Sequence, residues 1–122
     1  MTELTLNDYQ RRAGATNKGT RLFVNRAVEG DLEIIDGLYN ALGMGGEAGE
    51  VMEKIKKHAR DGVASLKTHR EEVGKELGDV LWYLSQLAAD FGFSLQEVAQ
   101  MNLDKLASRK ARGVLSGSGD NR

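Results

Sequence analysis

The feature that most restricts the fold is a helical spacing of apolar residues along stretches that contain no proline. Apolar side chains recur every three or four positions over residues 31–60, 68–91 and 94–110, which is the period of an amphipathic α-helix. The chain has no Pro, whereas an average usage of about 5% would place roughly six in a chain of this length. Because proline inside a helix is costly, the sequence predicts an all-α fold, a small bundle of about four helices.

Residues that favour helix ends divide these stretches into four predicted helices. Thr68 with Glu71 and Ser94 with Glu97 have the capping-box pattern and are expected to open the third and fourth helices. Asp31 is the expected N-cap of the second helix. The predicted helices span Leu4–Thr16, Asp31–Arg60, Thr68–Phe91 and Ser94–Lys110, with Thr5 or Asn7 capping the first, and Gly62, Gly92 and Gly113 ending the last three. The connector 17–30 is not assigned.

Four glycines interrupt the second predicted helix, at Gly43, Gly45, Gly46 and Gly49. Each glycine inside a helix costs about 0.5–1 kcal/mol relative to alanine. Two explanations are open: the helix breaks near Gly43–Gly46, or another group approaches the backbone closely there. Gly49, together with Gly78 of the third helix, is expected to allow close approach of the two helices.

Composition excludes several classes of protein. A net charge of -1 argues against a nucleic-acid binder, which usually has an excess of basic residues. Without cysteine there is no disulfide, thiolate zinc site or Cys nucleophile. No apolar run reaches the roughly 18 residues of a membrane span, and residues 1–12 show no secretory signal. We expect one cytoplasmic domain over 1–122, with a flexible tail at 113–122.

Two acidic motifs suggest a metal site. Glu47 and Glu50 are three residues apart on the second predicted helix, and Glu76 and Asp79 on the third. Residues at this spacing share a helix face, so antiparallel packing would gather four carboxylates. A hard cation, Mg²⁺ or Mn²⁺, would offset their repulsion. The alternative is four acids on the surfaces of amphipathic helices.

The segment 80–84 that follows the second motif is apolar around the whole helix. A helix of this kind is normally buried on all sides, which predicts a homo-oligomer with this segment at the interface. Trp82 is expected in the core or interface, and Tyr83 either stacks on a nucleobase or fills the core. His58 and His69 do not follow a glutamate by three residues, as ferritin-like di-iron sites require. They are interpreted as ordinary surface residues near helix ends.

Basic residues on the fourth helix form a stripe of hydrogen-bond donors. Lys105 and Arg109 are four residues apart, and Asn102 precedes Lys105 by one turn. Lysine and arginine at this spacing suit a phosphate group. Lys54 is a further candidate for binding the substrate. The alternative is a surface ion pair with Glu50, four residues earlier on the same helix.

Three segments, in this order along the chain, resemble the MazG-like nucleoside triphosphate pyrophosphohydrolases. They are 42–51 (LGMGGEAGEV), 75–84 (KELGDVLWYL) and 102–109 (NLDKLASR). Tyr9-Gln10, with Ala13 and Thr16, is similar to the opening helix of that family.

The resemblance implies an all-α homodimer or homotetramer, and the composition argues against a nucleic-acid polymer or a membrane as a partner. It implies Mg²⁺-dependent cleavage of an NTP or dNTP to the monophosphate and pyrophosphate, by attack of metal-activated water on the α-phosphorus. By position, Glu47, Glu50, Glu76 and Asp79 would bind metal, and Glu47 or Glu50 would assist deprotonation of the water. By position, Lys105 and Arg109 would contact phosphates and Asn102 the substrate. Tyr83 and Lys54 are further substrate-binding candidates from their places on the helices.

The chain departs from some members of the family at Gly46, where they have an additional glutamate before the first motif. This departure leaves open how many ions bind and which carboxylate acts as the base. Two alternative functions also stay open. One is a related enzyme on the same fold, acting on dUTP, dCTP or phosphoribosyl-ATP. The other is a non-catalytic helical module that serves in assembly.

Overall fold

A computed structural model describes residues 3–17 and 32–121 of the chain. Within these ranges the protein is all-α, as predicted, and contains no strand. The helices are α1 (Leu6–Gly14), α2 (Leu32–Asp61), α3 (Leu66–Asp90) and α4 (Leu95–Ala111). The expected N-cap at Asp31 and residues 18–30 of the unassigned connector 17–30 lie outside the described residues.

Helix capping confirms two of the predicted starts and corrects a third. Thr5 caps α1, accepting a hydrogen bond from the Asp8 N–H, and the Ser94–Glu97 capping box opens α4. The predicted box at Thr68 is wrong, because α3 begins one turn earlier. There the Ser65 hydroxyl accepts from the Thr68 N–H at 3.0 Å, so Ser65 is the cap and Thr68 is already helical.

The backbone confirms all three predicted helix stops. Gly62, Gly92 and Gly113 all have positive φ, the left-handed conformation that ends helices and that glycine adopts without steric cost. Of these, Gly62 also donates its N–H to the His58 carbonyl at 3.0 Å. The chain therefore turns at Gly62 between α2 and α3 and at Gly92 between α3 and α4.

The helices are arranged around α3. It packs along α2 as an antiparallel hairpin and also contacts α1 and α4, whereas α2 and α4 do not contact each other in the described ranges. Gln10 of α1 fixes the α3–α4 turn: its Nε2 donates to the Ser85 and Phe93 carbonyls, and its Oε1 accepts from the Leu95 N–H, each at 3.0 Å.

The glycines do not break α2, which is continuous through them. Close approach of another group to the backbone explains Gly43, since a Cβ there would lie 2.1 Å from Cε1 of Tyr83. The expectation for Gly49 and Gly78 is wrong for this chain. A Cβ at either position would meet no other group within 4 Å, because neither residue faces the neighbouring helix.

Burial of apolar side chains in this single chain is small. Ala88 and Leu95 are the apolar residues that are buried among those described. Segment 80–84 is half-buried in the single chain, and its predicted burial in a homo-oligomer stays a prediction. Trp82 is also half-buried, and its Nε1 donates to the Thr16 hydroxyl at 2.8 Å. In the described ranges, no helix has both the length and the apolar character needed to cross a bilayer.

Candidate metal and substrate site

Three carboxylates from two helices converge at the middle of the α2–α3 hairpin. One oxygen each from Glu47, Glu76 and Asp79 lies within 4.8 Å of the other two. The three-residue spacing on α3 places Glu76 and Asp79 on one face, and Glu47 reaches them from α2. Glu50, one turn further along α2, is exposed and outside this group. We call the three the carboxylate cluster.

The electrostatics of the carboxylate cluster favour a cation. Desolvation raises the pKa of Glu47, and the charges of Asp79, Glu76 and Glu50 raise it further. A carboxyl group surrounded by like charges binds a proton or a metal ion more readily than an isolated one. Oxygen ligands alone are the set that Mg²⁺ prefers. The residues present therefore fit a hard divalent ion.

Lys54 supplies a positive charge at the edge of the carboxylate cluster. Its Nζ lies 3.6 Å from Oε1 of Glu76, across the two helices. The spacing in the sequence also allows an ion pair between Lys54 and Glu50 within α2, but Lys54 pairs with Glu76 of α3. One ammonium group cannot balance three carboxylates, so the site keeps a negative charge when all three are ionised.

Aromatic side chains form the wall beside the carboxylate cluster. Trp82 and Tyr83 line a cavity of about 380 Å³ together with Glu47 and Asp79, and their rings meet edge-to-face at 4.9 Å. Burial raises the pKa of Tyr83, as do a hydrogen bond with Tyr39 and the charges of Glu47 and Asp79. Tyr83 thus packs over Gly43 and also borders the cavity, and its stacking on a nucleobase stays a prediction.

Tyr9 is a neighbour of the site that sequence reasoning did not assign to it. Burial raises the pKa of Tyr9, and the charge of Asp79 raises it further. The residue comes from α1, and its position depends on how α1 packs across α3. No local spacing in the sequence could have shown this proximity.

The basic stripe of α4 is not brought to the carboxylate cluster. Asn102 and Lys105 line a separate, mainly apolar cavity of about 640 Å³ between α1, α3 and α4. Arg109 is 6% exposed. Its Nη2 donates to the carbonyls of Gly119 and Asp120 and to Oδ1 of Asp120, at 3.0–3.2 Å. Lys105 Nζ lies 3.4 Å from the same Oδ1.

The C-terminal tail therefore supplies an anion to the two cations expected to bind phosphate. Gly113, Gly117 and Gly119 have positive φ, and these turns return the tail to α4. Hydrogen bonds from Arg109 and Lys105 lower the pKa of the Asp120 carboxyl, which is ionised near neutral pH. In the sequence, Gly117 and Gly119 are the residues that indicate turns in the tail. The sequence does not show which side chains the tail contacts.

Comparison with known proteins defines the class to which this arrangement belongs. A family model described as the MazG nucleotide pyrophosphohydrolase domain matches residues 38–114, which include the whole carboxylate cluster and the basic stripe. The chain belongs to this family, and the resemblance seen in its sequence is confirmed.

A particular relative is the Gene 37 protein of Mycobacterium phage L5. It is 51% identical over 96 residues, which cover 76% of this chain and 83% of that protein. Its name states no activity. No solved structure shows a significant match to the chain.

Proposed function

We propose that this protein is a Mg²⁺-dependent nucleoside triphosphate pyrophosphohydrolase that releases a nucleoside monophosphate and pyrophosphate. The observation that carries the proposal is the convergence of Glu47, Glu76 and Asp79 within 4.8 Å, inside the segment that matches the MazG family. Such a cluster in a nucleotide pyrophosphohydrolase domain is best explained as the place where metal and triphosphate meet. Nucleotides are cytoplasmic metabolites, so we expect the enzyme to act in the cytoplasm.

The carboxylate cluster would hold the ion, with Mn²⁺ as a possible substitute. When bound, the ion would lower the pKa of a coordinated water and stabilise charge on the phosphates. Glu50 is the fourth candidate ligand because its charge already acts on Glu47. A change in its side-chain rotamer is the simplest way for it to join the cluster.

The remaining roles in the reaction belong to the side chains. A carboxylate of Glu47 or Glu50 that is not engaged by metal accepts a proton from the attacking water. The water oxygen bonds to the α-phosphorus, and the bond from that phosphorus to the oxygen bridging the β-phosphate breaks. Pyrophosphate leaves with that bridging oxygen. Lys105 and Arg109 stabilise the charge of the leaving pyrophosphate. Asn102 contacts the substrate, and Tyr83 offers an aromatic face to the nucleobase.

A complete site of this kind requires the carboxylate cluster and the basic stripe to act on one nucleotide. In one chain the carboxylate cluster and the basic stripe border different cavities, and α2, which carries Glu47, does not contact α4. We propose that a second copy of the chain completes the site, in a homodimer or homotetramer. The exposed apolar side chains support this: Leu42 and Met52 of α2 are each 67% exposed, and burial of such groups is the main force for association.

Oligomerisation can be measured independently of activity. Light scattering coupled to size-exclusion chromatography gives the mass in solution, to be compared with 13.3 kDa for one chain. A mass of two or four chains is expected. A monomer at the concentrations used for the activity assay would contradict the proposal that two copies form the site.

The activity is tested by ³¹P NMR of the protein with each common NTP and dNTP, with and without Mg²⁺. Pyrophosphate plus a monophosphate, formed only with Mg²⁺, is expected. The preferred nucleotide separates a general enzyme from a dUTP- or dCTP-type one, and phosphoribosyl-ATP belongs in the same panel. If no compound is cleaved and Mg²⁺ leaves the unfolding temperature unchanged, the non-catalytic helical module is the correct alternative.

A further inference from the structure

A pair of histidines at the turn between α2 and α3 differs from its sequence-based interpretation. His58 is in the last turn of α2 and His69 in the first turns of α3. Their Nδ1 atoms are in direct contact, and the ring centroids are 4.5 Å apart. The His58 side chain is 14% exposed. These are therefore not ordinary surface residues, as the sequence suggested, but a cross-helix pair.

Glu72 determines which nitrogen of His58 is protonated. Oε2 of Glu72 lies 2.6 Å from Nε2 of His58, and an ionised carboxylate can only accept a hydrogen bond. Neutral His58 therefore carries its proton on Nε2, and its Nδ1 presents a lone pair to His69. This lone pair can accept the Nδ1 proton of His69 or bind a metal ion.

We propose that His58 and His69 bind a transition-metal ion of the Zn²⁺, Ni²⁺ or Co²⁺ class through their Nδ1 atoms. Imidazole nitrogen suits these ions, whereas Mg²⁺ prefers oxygen. A carboxylate that accepts from the other ring nitrogen is the usual partner of a metal-binding histidine, since it fixes the tautomer and raises the basicity of the ligand. Glu72 has this position relative to His58. Bonds of about 2.0–2.1 Å require the two nitrogens to move apart to roughly 3.3 Å for a tetrahedral ion.

This histidine site is separate from the carboxylate cluster but acts on the same two helices. At about 1.5 Å per residue, Glu47 is roughly 16 Å along α2 from His58. By the same measure Glu76 is roughly 10 Å along α3 from His69. An ion bonded to one histidine from each helix links α2 to α3 near their turn. We infer that its main effect is to stabilise the hairpin on which the carboxylate cluster is built.

The test uses the full chain after treatment with EDTA and exchange into metal-free buffer. Thermal unfolding is followed with ZnCl₂ or NiCl₂ at micromolar concentrations, and with MgCl₂ for comparison. The wild-type protein is expected to unfold at a higher temperature with Zn²⁺ or Ni²⁺. In His69→Ala this increase is expected to disappear, and in Glu72→Gln the affinity is expected to fall about 10- to 100-fold.

Asp79→Asn is the matched control, since it changes the carboxylate cluster and leaves the histidines intact. It should keep the Zn²⁺ response. Retention of the full response in His69→Ala, or its loss in Asp79→Asn, would overturn the proposal. Imidazole ¹⁵N shifts of the wild-type protein give a second readout that requires no variant. Zn²⁺ should shift the Nδ1 signals of both histidines, and unchanged signals at saturating Zn²⁺ would also overturn it.

Discussion

Replacement of Gly43 by alanine tests the packing of α2 against α3 beside the carboxylate cluster. A Cβ at this position would lie 2.1 Å from Cε1 and 2.5 Å from Cδ1 of Tyr83, far inside van der Waals contact. The ring has little freedom to withdraw, because Trp82 meets it edge-to-face at 4.9 Å and Tyr39 is 6.3 Å away between ring centroids. The added methyl group must therefore displace the ring or separate the helices.

Gly45 is the matched control, two residues further along the same helix, where a Cβ would meet nothing within 4 Å. Alanine in a helix interior is favoured over glycine by about 0.5–1 kcal/mol, so Gly45→Ala should increase the free energy of unfolding by that amount. At Gly43 the same gain is opposed by an overpacking cost of about 1–3 kcal/mol. The helix-propensity gain is common to both variants, so their stabilities should differ by roughly 1–3 kcal/mol.

Urea denaturation of the two variants and the wild-type protein measures this difference. An entropy of unfolding of about 2.1 cal/mol/K per residue converts 1 kcal/mol to roughly 4 °C for a chain of 122 residues, so thermal scans give a second measure. In a Tyr83→Ala background, Gly43→Ala should become stabilising because the ring is gone. The reasoning is refuted if Gly43→Ala is as stable as Gly45→Ala in the protein that retains Tyr83.

Three further predictions concern the carboxylate cluster, the tail and the α3–α4 turn. The raised pKa of Glu47 means that the folded state holds its proton more tightly than the unfolded state. The contribution of Glu47 to stability should therefore be lost as pH rises from the unfolded pKa near 4.5 through the folded pKa. Glu47→Gln should remove this contribution from the difference in stability between pH 4 and pH 7, measured by urea denaturation without metal. Asp120→Asn should tighten binding of pyrophosphate in metal-free calorimetry, because it releases Lys105 and Arg109 from the Asp120 carboxylate. The exposed control Asp104→Asn should not change the affinity, and equal affinities of wild type and Asp120→Asn would refute this. Gln10→Ala loses three hydrogen bonds to the backbone and should cost about 1–3 kcal/mol in urea denaturation, with Gln100→Ala near neutral.

The fold could be predicted as far as it depends on local chemistry. The capping box at Ser94 and Glu97 acts within one turn, so the residues alone place the start of α4. Two hydroxyl residues compete at the start of α3, Ser65 and Thr68, and the choice depends on where the chain leaves the preceding turn. The sequence carries both signals, and only the folded hairpin decides between them.

The site could be predicted where its residues share a helix. Glu76 and Asp79 are three residues apart, and their common face follows from helix geometry alone. Their approach to Glu47, and the contact between Gly43 and Tyr83, depend on the relative register of α2 and α3. Register is set by the sum of many side-chain contacts across the interface. For the same reason no local pattern indicated that Asp120 would meet Lys105 and Arg109.

The proposed function requires that the carboxylate cluster support Mg²⁺-dependent release of pyrophosphate. The most direct measurement compares turnover of the preferred nucleotide by wild type, Glu50→Gln and Glu76→Gln, with Glu53→Gln as control. Glu53 is on α2 and pairs with Lys56 and Lys57 on the surface. We expect large losses of turnover in the first two variants, with the helical circular dichroism retained, and wild-type turnover in Glu53→Gln. Near-normal turnover in Glu76→Gln would contradict the account, because that glutamate is one of the three that converge.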